Sequence, residues 1–149
     1  MEKRPRIFIG SDYHGFEKKS ALIQHLSSFF NIVDKGNFEK VQDDYNNPAI
    51  AVSMAVKENP ESFGILICGS AHGMCIQSNR FKGIRAINAL SEKSAKLGRE
   101  HDDANVLCLS AELTDLGTME KIIQTFINTK FEPIERRVRR LKKLDEENP

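Results

Sequence analysis

The sequence predicts an α/β fold, a five-stranded parallel sheet with crossover helices, and two observations predict it. Short runs rich in Ile, Val, Leu and Phe alternate with longer stretches whose apolar residues recur at helical spacing. The strongest run, Phe63-Gly64-Ile65-Leu66-Ile67 into Cys68, opens into Gly69-Ser70-Ala71-His72-Gly73 before the next helical stretch, the pattern of a buried strand feeding a helix. At 149 residues the chain suits one domain, 1–149, with a sizeable core, and no internal repeat, low-complexity tract or linker interrupts it.

In order along the chain, strand one is Arg6–Ser11. Asp12-Tyr13-His14-Gly15 leads from it into a helix whose apolar positions Phe16, Ala21, Leu22 and Leu26 mark one face. Strand two, about Asn31 to Lys35, is short. Gly36 to Tyr45 reads as a loop, and Pro48 stands where a helix begins before Ile50, Val52 and Val56. Asn59-Pro60 ends that helix. Strand three runs into Cys68, with a helix over about Met74 to Phe81. Strand four covers Ile84 to Ala89, its helix starts near Ser91, and strand five is Asn105–Leu109. A helix from about Leu116 to Asn128 follows, and the densely basic stretch from Arg136 to Lys143 makes a last helix over about 132–147.

Composition excludes several classes. The 22 basic and 21 acidic side chains nearly cancel, so the whole-chain balance favours neither nucleic acid nor an acidic membrane as partner. No apolar run approaches the ~18 residues of a membrane span. Three cysteines at wide, irregular spacing, with no C-x-x-C pair and no secretory signal segment, point to reduced thiols in a cytoplasmic protein.

In open parallel sheets ligands sit at the carboxyl ends of the strands. Asp12 and His14 follow strand one, and Cys68 and Ser70 follow strand three. A thiol at a strand end beside the unpaired amides of a helix start meets a field that favours negative charge, so the expectation is a lowered Cys68 pKa and a loop that stabilises an oxyanion. His101 and Asp102 end the fourth helix just before strand five, ordinarily the opposite edge. They reach the same site only if their helix ends near it or if a neighbouring subunit supplies them. Arg136 and Arg140 are four apart and share a helical face, as a phosphate clamp requires. His25 reads as structural, and His72 lies inside the key loop.

Competing chemistries fail on spacing. The key loop is not G-x-G-x-x-G, and no G-x-x-x-x-G-K-[ST] occurs. A cysteine phosphatase needs an arginine six positions after the cysteine, where this chain has Met74. Cys68, Cys75 and Cys108 are not grouped with histidines at metal-ligand spacing.

Together these pieces resemble the ribose-5-phosphate isomerase B family, whose relatives include the galactose-6-phosphate isomerase subunits. The resemblance runs through Gly10-Ser11-Asp12 to Gly15-Phe16, Asp34-Lys35-Gly36, Asp44-Tyr45, Ile67-Cys68-Gly69-Ser70, Asn79-Arg80 through Gly83-Ile84-Arg85-Ala86, Arg99 through Asn105-Val106, and the arginine-rich tail. It implies a Rossmann-like three-layer α/β/α sandwich, assembled as a homodimer or homotetramer with sites between subunits, and an aldose–ketose isomerisation of a phosphorylated sugar without metal or cofactor. By that resemblance Cys68 is the carbon base, Ser70 shuttles protons between O1 and O2, and the backbone from Gly69 through Ala71 and His72 to Gly73 forms the anion hole. His101 opens the furanose ring by general acid–base action. Asp12, Tyr13 and Tyr45 line the sugar, Arg136 and Arg140 from the partner subunit hold the phosphate, and Arg99, Asp102 and Asn105 are further contacts.

The chain also departs from that family's pattern. Tyr13-His14 stands where many members read histidine then alanine, Ala71 replaces a favoured glycine, Asp102 replaces an asparagine, and Arg137 replaces a histidine. Some relatives carry a carboxylate base where this chain has Cys75, which is expected to be a pocket wall or a helix-buried thiol. The resemblance thus implies ribose 5-phosphate/ribulose 5-phosphate interconversion through an enediolate. The alternatives are isomerisation of allose 6-phosphate or galactose 6-phosphate, or phosphosugar binding without turnover.

Overall fold

A computed structural model describes residues 4–146. Its strands are β1 (Arg6–Ser11), β2 (Asn31–Asp34), β3 (Phe63–Cys68), β4 (Ala86–Asn88) and β5 (Val106–Ser110). They form one parallel sheet in the order β2-β1-β3-β5-β4. The helices are α1 (Phe16–Leu26), α2 (Asn46–Glu58), α3 (His72–Ser78), α4 (Glu92–Asp102), α5 (Leu116–Asn128) and α6 (Glu135–Asp145). Side chains alternate across each strand. Ile7, Ile9, Ile65, Ile67, Leu107 and Leu109 therefore pack on one face with Leu22 and Leu26 of α1, Ala95 of α4 and Met119, Ile122 and Phe126 of α5. Phe8, Leu66, Val106 and Cys108 pack on the other with Ala49 and Val52 of α2 and Met74 of α3. The result is the Rossmann-like α/β/α sandwich, with each fully buried large side chain contributing ~1.5–3 kcal/mol relative to exposure.

Several element ends differ from expectation, and at β4 side chains have taken over backbone hydrogen bonds. β4 starts at Ala86 rather than Ile84. Arg85 N donates to Asn105 Oδ1 (2.8 Å) and Ala86 N to Asn79 Oδ1 (2.8 Å), so these amides meet side chains before the ladder begins. Asn105 is thereby drawn out of β5, which runs from Val106 to Ser110. α3 is displaced toward the amino terminus, His72–Ser78 instead of Met74–Phe81, because the turn after Cys68 is complete by Ala71. α2 begins two residues before Pro48. α6 begins at Glu135 because Pro133 keeps the preceding chain extended. The expected end of that helix at 147 lies outside the described residues.

One core position is a charge. Lys19 on α1 is 1% exposed, and its ammonium meets Asp34 at the end of β2 (2.9 and 3.1 Å) and the carbonyl of Asn37. The Phe16 and Phe38 rings lie 5.3 and 5.9 Å from it. The same segment is stitched to β1, with Ser11 N donating to Gly36 O (2.8 Å) and Asn37 N to Ser11 O (3.0 Å). The loop after β2 is thus fixed to the carboxyl end of β1. From β1 the chain passes to β2 on one side, and from β3 it passes to β4 and β5 on the other. The loops leaving β1 and β3 therefore diverge and open a crevice.

Candidate active site

Cys68 is the last residue of β3, level with Ser110 on β5, and is 5% exposed. The chain then turns through Gly69, Ser70 and Ala71 into α3. Ala71 is buried and left-handed at φ 75°, ψ −8°, a conformation that costs an L-residue ~1–2 kcal/mol. The turn is anchored from β5: Gly69 O accepts from Ser110 Oγ (2.6 Å) and Glu112 N (3.1 Å), and Cys68 O accepts from Ala111 N (2.8 Å). Ser70 is exposed, and its Oγ accepts from His72 N (3.3 Å). The amides of Gly69, Ser70 and Gly73 meet no acceptor among the described residues, so three donors at the crevice are uncommitted.

The expectation of an acidified thiol is corrected. Burial pushes Cys68 up to about 11, and the Asp12 carboxylate adds to the rise. The amides of Met74 and Ala71 point at the sulfur and offset only part of it. Desolvation outweighs the helix start because the sulfur lies beneath the turn, out of water. Behind it, a sulfur pair forms: Cys108 donates toward Cys75, which lowers Cys75, while full burial raises Cys108.

Around this turn the structure gathers Asp12, Tyr13 and Tyr45. Asp12 is 9% exposed, and its Oδ1 accepts from Gly15 N (3.0 Å), tightening the turn after β1. That turn runs flush against β3, since a β-carbon on Gly15 would lie 2.3 Å from Ile67 O. Tyr45 precedes α2 and lays its ring against Gly73. A cavity of about 460 Å³ is lined by Asp12, Tyr13, His14, Asp43, Asp44 and Tyr45. Lys40 Nζ sits 5.1 Å from the Tyr13 ring centroid while paired with Glu17 (2.7 Å).

Two residues that sequence reasoning did not select, Glu112 and Asn88, also flank this site. Glu112 Oε1 lies 3.0 Å from the point where a β-carbon on Gly69 would stand, and His14, which follows strand one as expected, brings its Cδ2 to 3.7 Å from the same point. Asn88, the last residue of β4, donates from Nδ2 toward Ser70 O (3.4 Å) and His72 Nδ1 (3.3 Å). The only sequence signal of Glu112 and Asn88 is position at or after a strand end, shared with many surface loops.

The remaining expected residues lie at the opposite edge. His101 and Asp102 are exposed on the last turn of α4. Gly64 is level with Val106, so four strand residues, ~13 Å, separate that end of the sheet from Cys68. Arg99 and Asn105, expected to contact substrate, are engaged within their own chain. Arg99 donates to Thr129 O (3.1 Å), Asp103 Oδ1 (2.8 Å) and Ala104 O (2.7 Å), with its guanidinium over Phe63 and Phe126. Asn105 bridges Arg85 N and Gly83 O. Burying Arg99 demanded these partners, because an unpaired interior charge is too costly. Arg136 and Arg140 are exposed on α6, which meets α4 through Arg137, a donor to Glu100 O (3.3 Å) and Glu132 (3.0 Å).

The sequence model of the Ribose/Galactose Isomerase family matches residues 7–144. The chain belongs to that family. Among similar members, the probable ribose-5-phosphate isomerase B of Mycoplasma genitalium is 43% identical over 129 residues, 85% of each chain. Ribose-5-phosphate isomerase B of Escherichia coli is 34% identical over 128 residues, 85% of this chain and 86% of that one. The ribose 5-phosphate isomerase of Thermotoga maritima superposes with a TM-score of 0.92 at 35% identity, over 97% of this chain and 100% of that one. The Mycoplasma genitalium enzyme with bound ribulose-5-phosphate superposes with a TM-score of 0.88 at 41% identity, over 94% of this chain and 93% of that one. This family member therefore shares its fold end to end with isomerases of a five-carbon sugar phosphate.

Proposed function

We propose that this chain interconverts ribose 5-phosphate and ribulose 5-phosphate through an enediolate, without metal or cofactor. The observation that carries the reading is the turn after β3: a thiol, an exposed hydroxyl and uncommitted amides meet within six residues, Cys68 to Gly73, at the sheet's crevice. In the open-chain aldose, the Cys68 thiolate removes the proton from C2. Negative charge then spreads onto the oxygens, where the amides of Gly69, Ser70 and Gly73 receive it. Ser70 passes a proton to O1 and takes one from O2, and the proton held on Cys68 returns to C1 to give the ketose.

Two demands remain that one chain does not meet at this site. Ring opening calls for a proton donor and acceptor, and the phosphate calls for cations. The candidates His101, Asp102, Arg136 and Arg140 occupy the far end of the sheet and α6, so in this reading a second copy of the chain, in a homodimer or homotetramer, supplies them. Asp12 and Tyr45 orient the sugar hydroxyls, and Tyr13 lines the mouth.

The test is kcat/KM for ribose 5-phosphate with a metal chelator present, alongside allose 6-phosphate and galactose 6-phosphate. Efficient pentose turnover is expected. Turnover of a hexose phosphate alone would move the substrate assignment, and binding without turnover of any sugar would make the chain a phosphosugar-binding protein.

A further inference from the structure

The left-handed Ala71 poses a physical problem that a glycine would not. Its φ of 75° is unfavourable for an alanine, and the residue stands between Ser70 and the start of α3, where relaxation would redirect the Ser70 hydroxyl. Such a conformation persists only if its neighbours over-determine it. On the β5 side, the carbonyls of Cys68 and Gly69 are held, but both precede Ala71. Two sets of contacts span it: Ser70 Oγ accepts from His72 N (3.3 Å) within the turn, and one side chain from β4 reaches both flanks from outside. Asn88 Nδ2 reaches the carbonyl of Ser70 before Ala71 (3.4 Å) and the ring Nδ1 of His72 after it (3.3 Å). Its Oδ1 is buried and meets no partner among the described residues, so the amide's hydrogen bonds there run toward the turn alone.

We infer that Asn88 is a positioning residue, a clamp that holds the strained Ala71 turn in register and so fixes the Ser70 hydroxyl relative to Cys68. It acts through the turn and touches no substrate. The two bonds are individually long and weak, yet they leave the same amide group for residues on either side of the strained one, so a change in the spacing of Ser70 and His72 loses at least one of them. The catalytic part of this inference rests on the isomerase reading; the clamp itself does not.

The experiment is a double-mutant cycle of Asn88→Ala with Ala71→Gly, read in two ways. The first is kcat and KM for ribose 5-phosphate. With Ala71 in place, Asn88→Ala should lower kcat ~10-fold with KM within about twofold, because orientation of the reacting groups and not substrate affinity is lost. In the Ala71→Gly background the same change should lower kcat less than about threefold, since glycine holds the conformation without help. The second readout is the thermal midpoint, where Asn88→Ala should cost ~3 °C more with Ala71 in place than in the Ala71→Gly background. Equal effects in both backgrounds, on kcat and on the midpoint, would overturn the clamp. An inactive wild type with coupled midpoints would instead overturn the isomerase reading and leave the clamp standing.

Discussion

The ring of Tyr45 rests on the backbone of Gly73, so close that a β-carbon there would lie 2.6 Å from Tyr45 Cζ. The start of α2 and the start of α3 thus meet at a position that admits no side chain. Gly73→Ala should evict the ring from the mouth of the site. Tyr45 is 42% exposed and free to swing outward, so the thermal midpoint should move by less than ~3 °C. KM for the sugar phosphate should rise ~10-fold; an unchanged KM would remove Tyr45 from the substrate contacts.

The raised Cys68 pKa gives two pH dependences. If the thiolate is the carbon base, kcat/KM climbs about tenfold per pH unit toward about 11, with no plateau at the ordinary thiol value near ~8.5. A plateau below about pH 8 would assign the base elsewhere.

Stability follows the same group with the opposite sense. The folded state holds the Cys68 proton more tightly than the unfolded chain, so its contribution is intact below the unfolded value and is lost as pH rises through about 11. The loss approaches ~2–3 kcal/mol in urea unfolding between about pH 8 and 11, and Cys68→Ala should show a smaller alkaline loss.

Two inactive variants should restore each other. Cys68→Ala damages the site in its own chain, whereas His101→Ala damages the contribution made to the partner. Unfolded and refolded together in equal amounts, random pairing should return about a quarter of wild-type turnover, because half the dimers carry one intact site of two. No recovery on mixing would place both residues' roles within one chain.

Lys19→Met should leave the Asp34 carboxylate and the Asn37 carbonyl without their cation. Breaking a fully buried pair costs ~3–5 kcal/mol; Asp34 keeps about a third of its exposure, so ~2–3 kcal/mol is expected in urea unfolding. The Lys19→Met, Asp34→Asn double variant should recover part of that loss.

Much of the fold was legible because apolar pattern and sheet burial say the same thing. β1, β3 and α5 have the expected bounds: each is a dense apolar segment with a turn residue at its end, and nothing competes for its backbone. The bounds of β4 and the start of β5 were misplaced because Asn79 and Asn105 side chains replace ladder bonds there, a long-range exchange that local periodicity does not record. Lys19 was invisible for a related reason. A lysine on a helix reads as solvated until its partner Asp34, fifteen residues on, is known to reach it. At the site, residues on the loops after β1 and β3 were readable, while Asn88 and Glu112 arrive from the ends of β4 and β5. The pKa of Cys68 inverted because the sequence reveals the helix start but not the depth of the sulfur beneath it.

The knot made by Lys19, Asp34, Asn37 and Ser11 has a practical consequence for redesign. It fixes both the floor of the crevice and the root of the loop, while residues 39–44, just beyond it, are exposed and carry Asp43 and Asp44 to the cavity. Those six positions form an exchangeable cassette on a rigid mount. Sequence libraries confined to them sample new sugar specificities at little thermodynamic risk, because the residues that hold the scaffold together lie outside the randomised window.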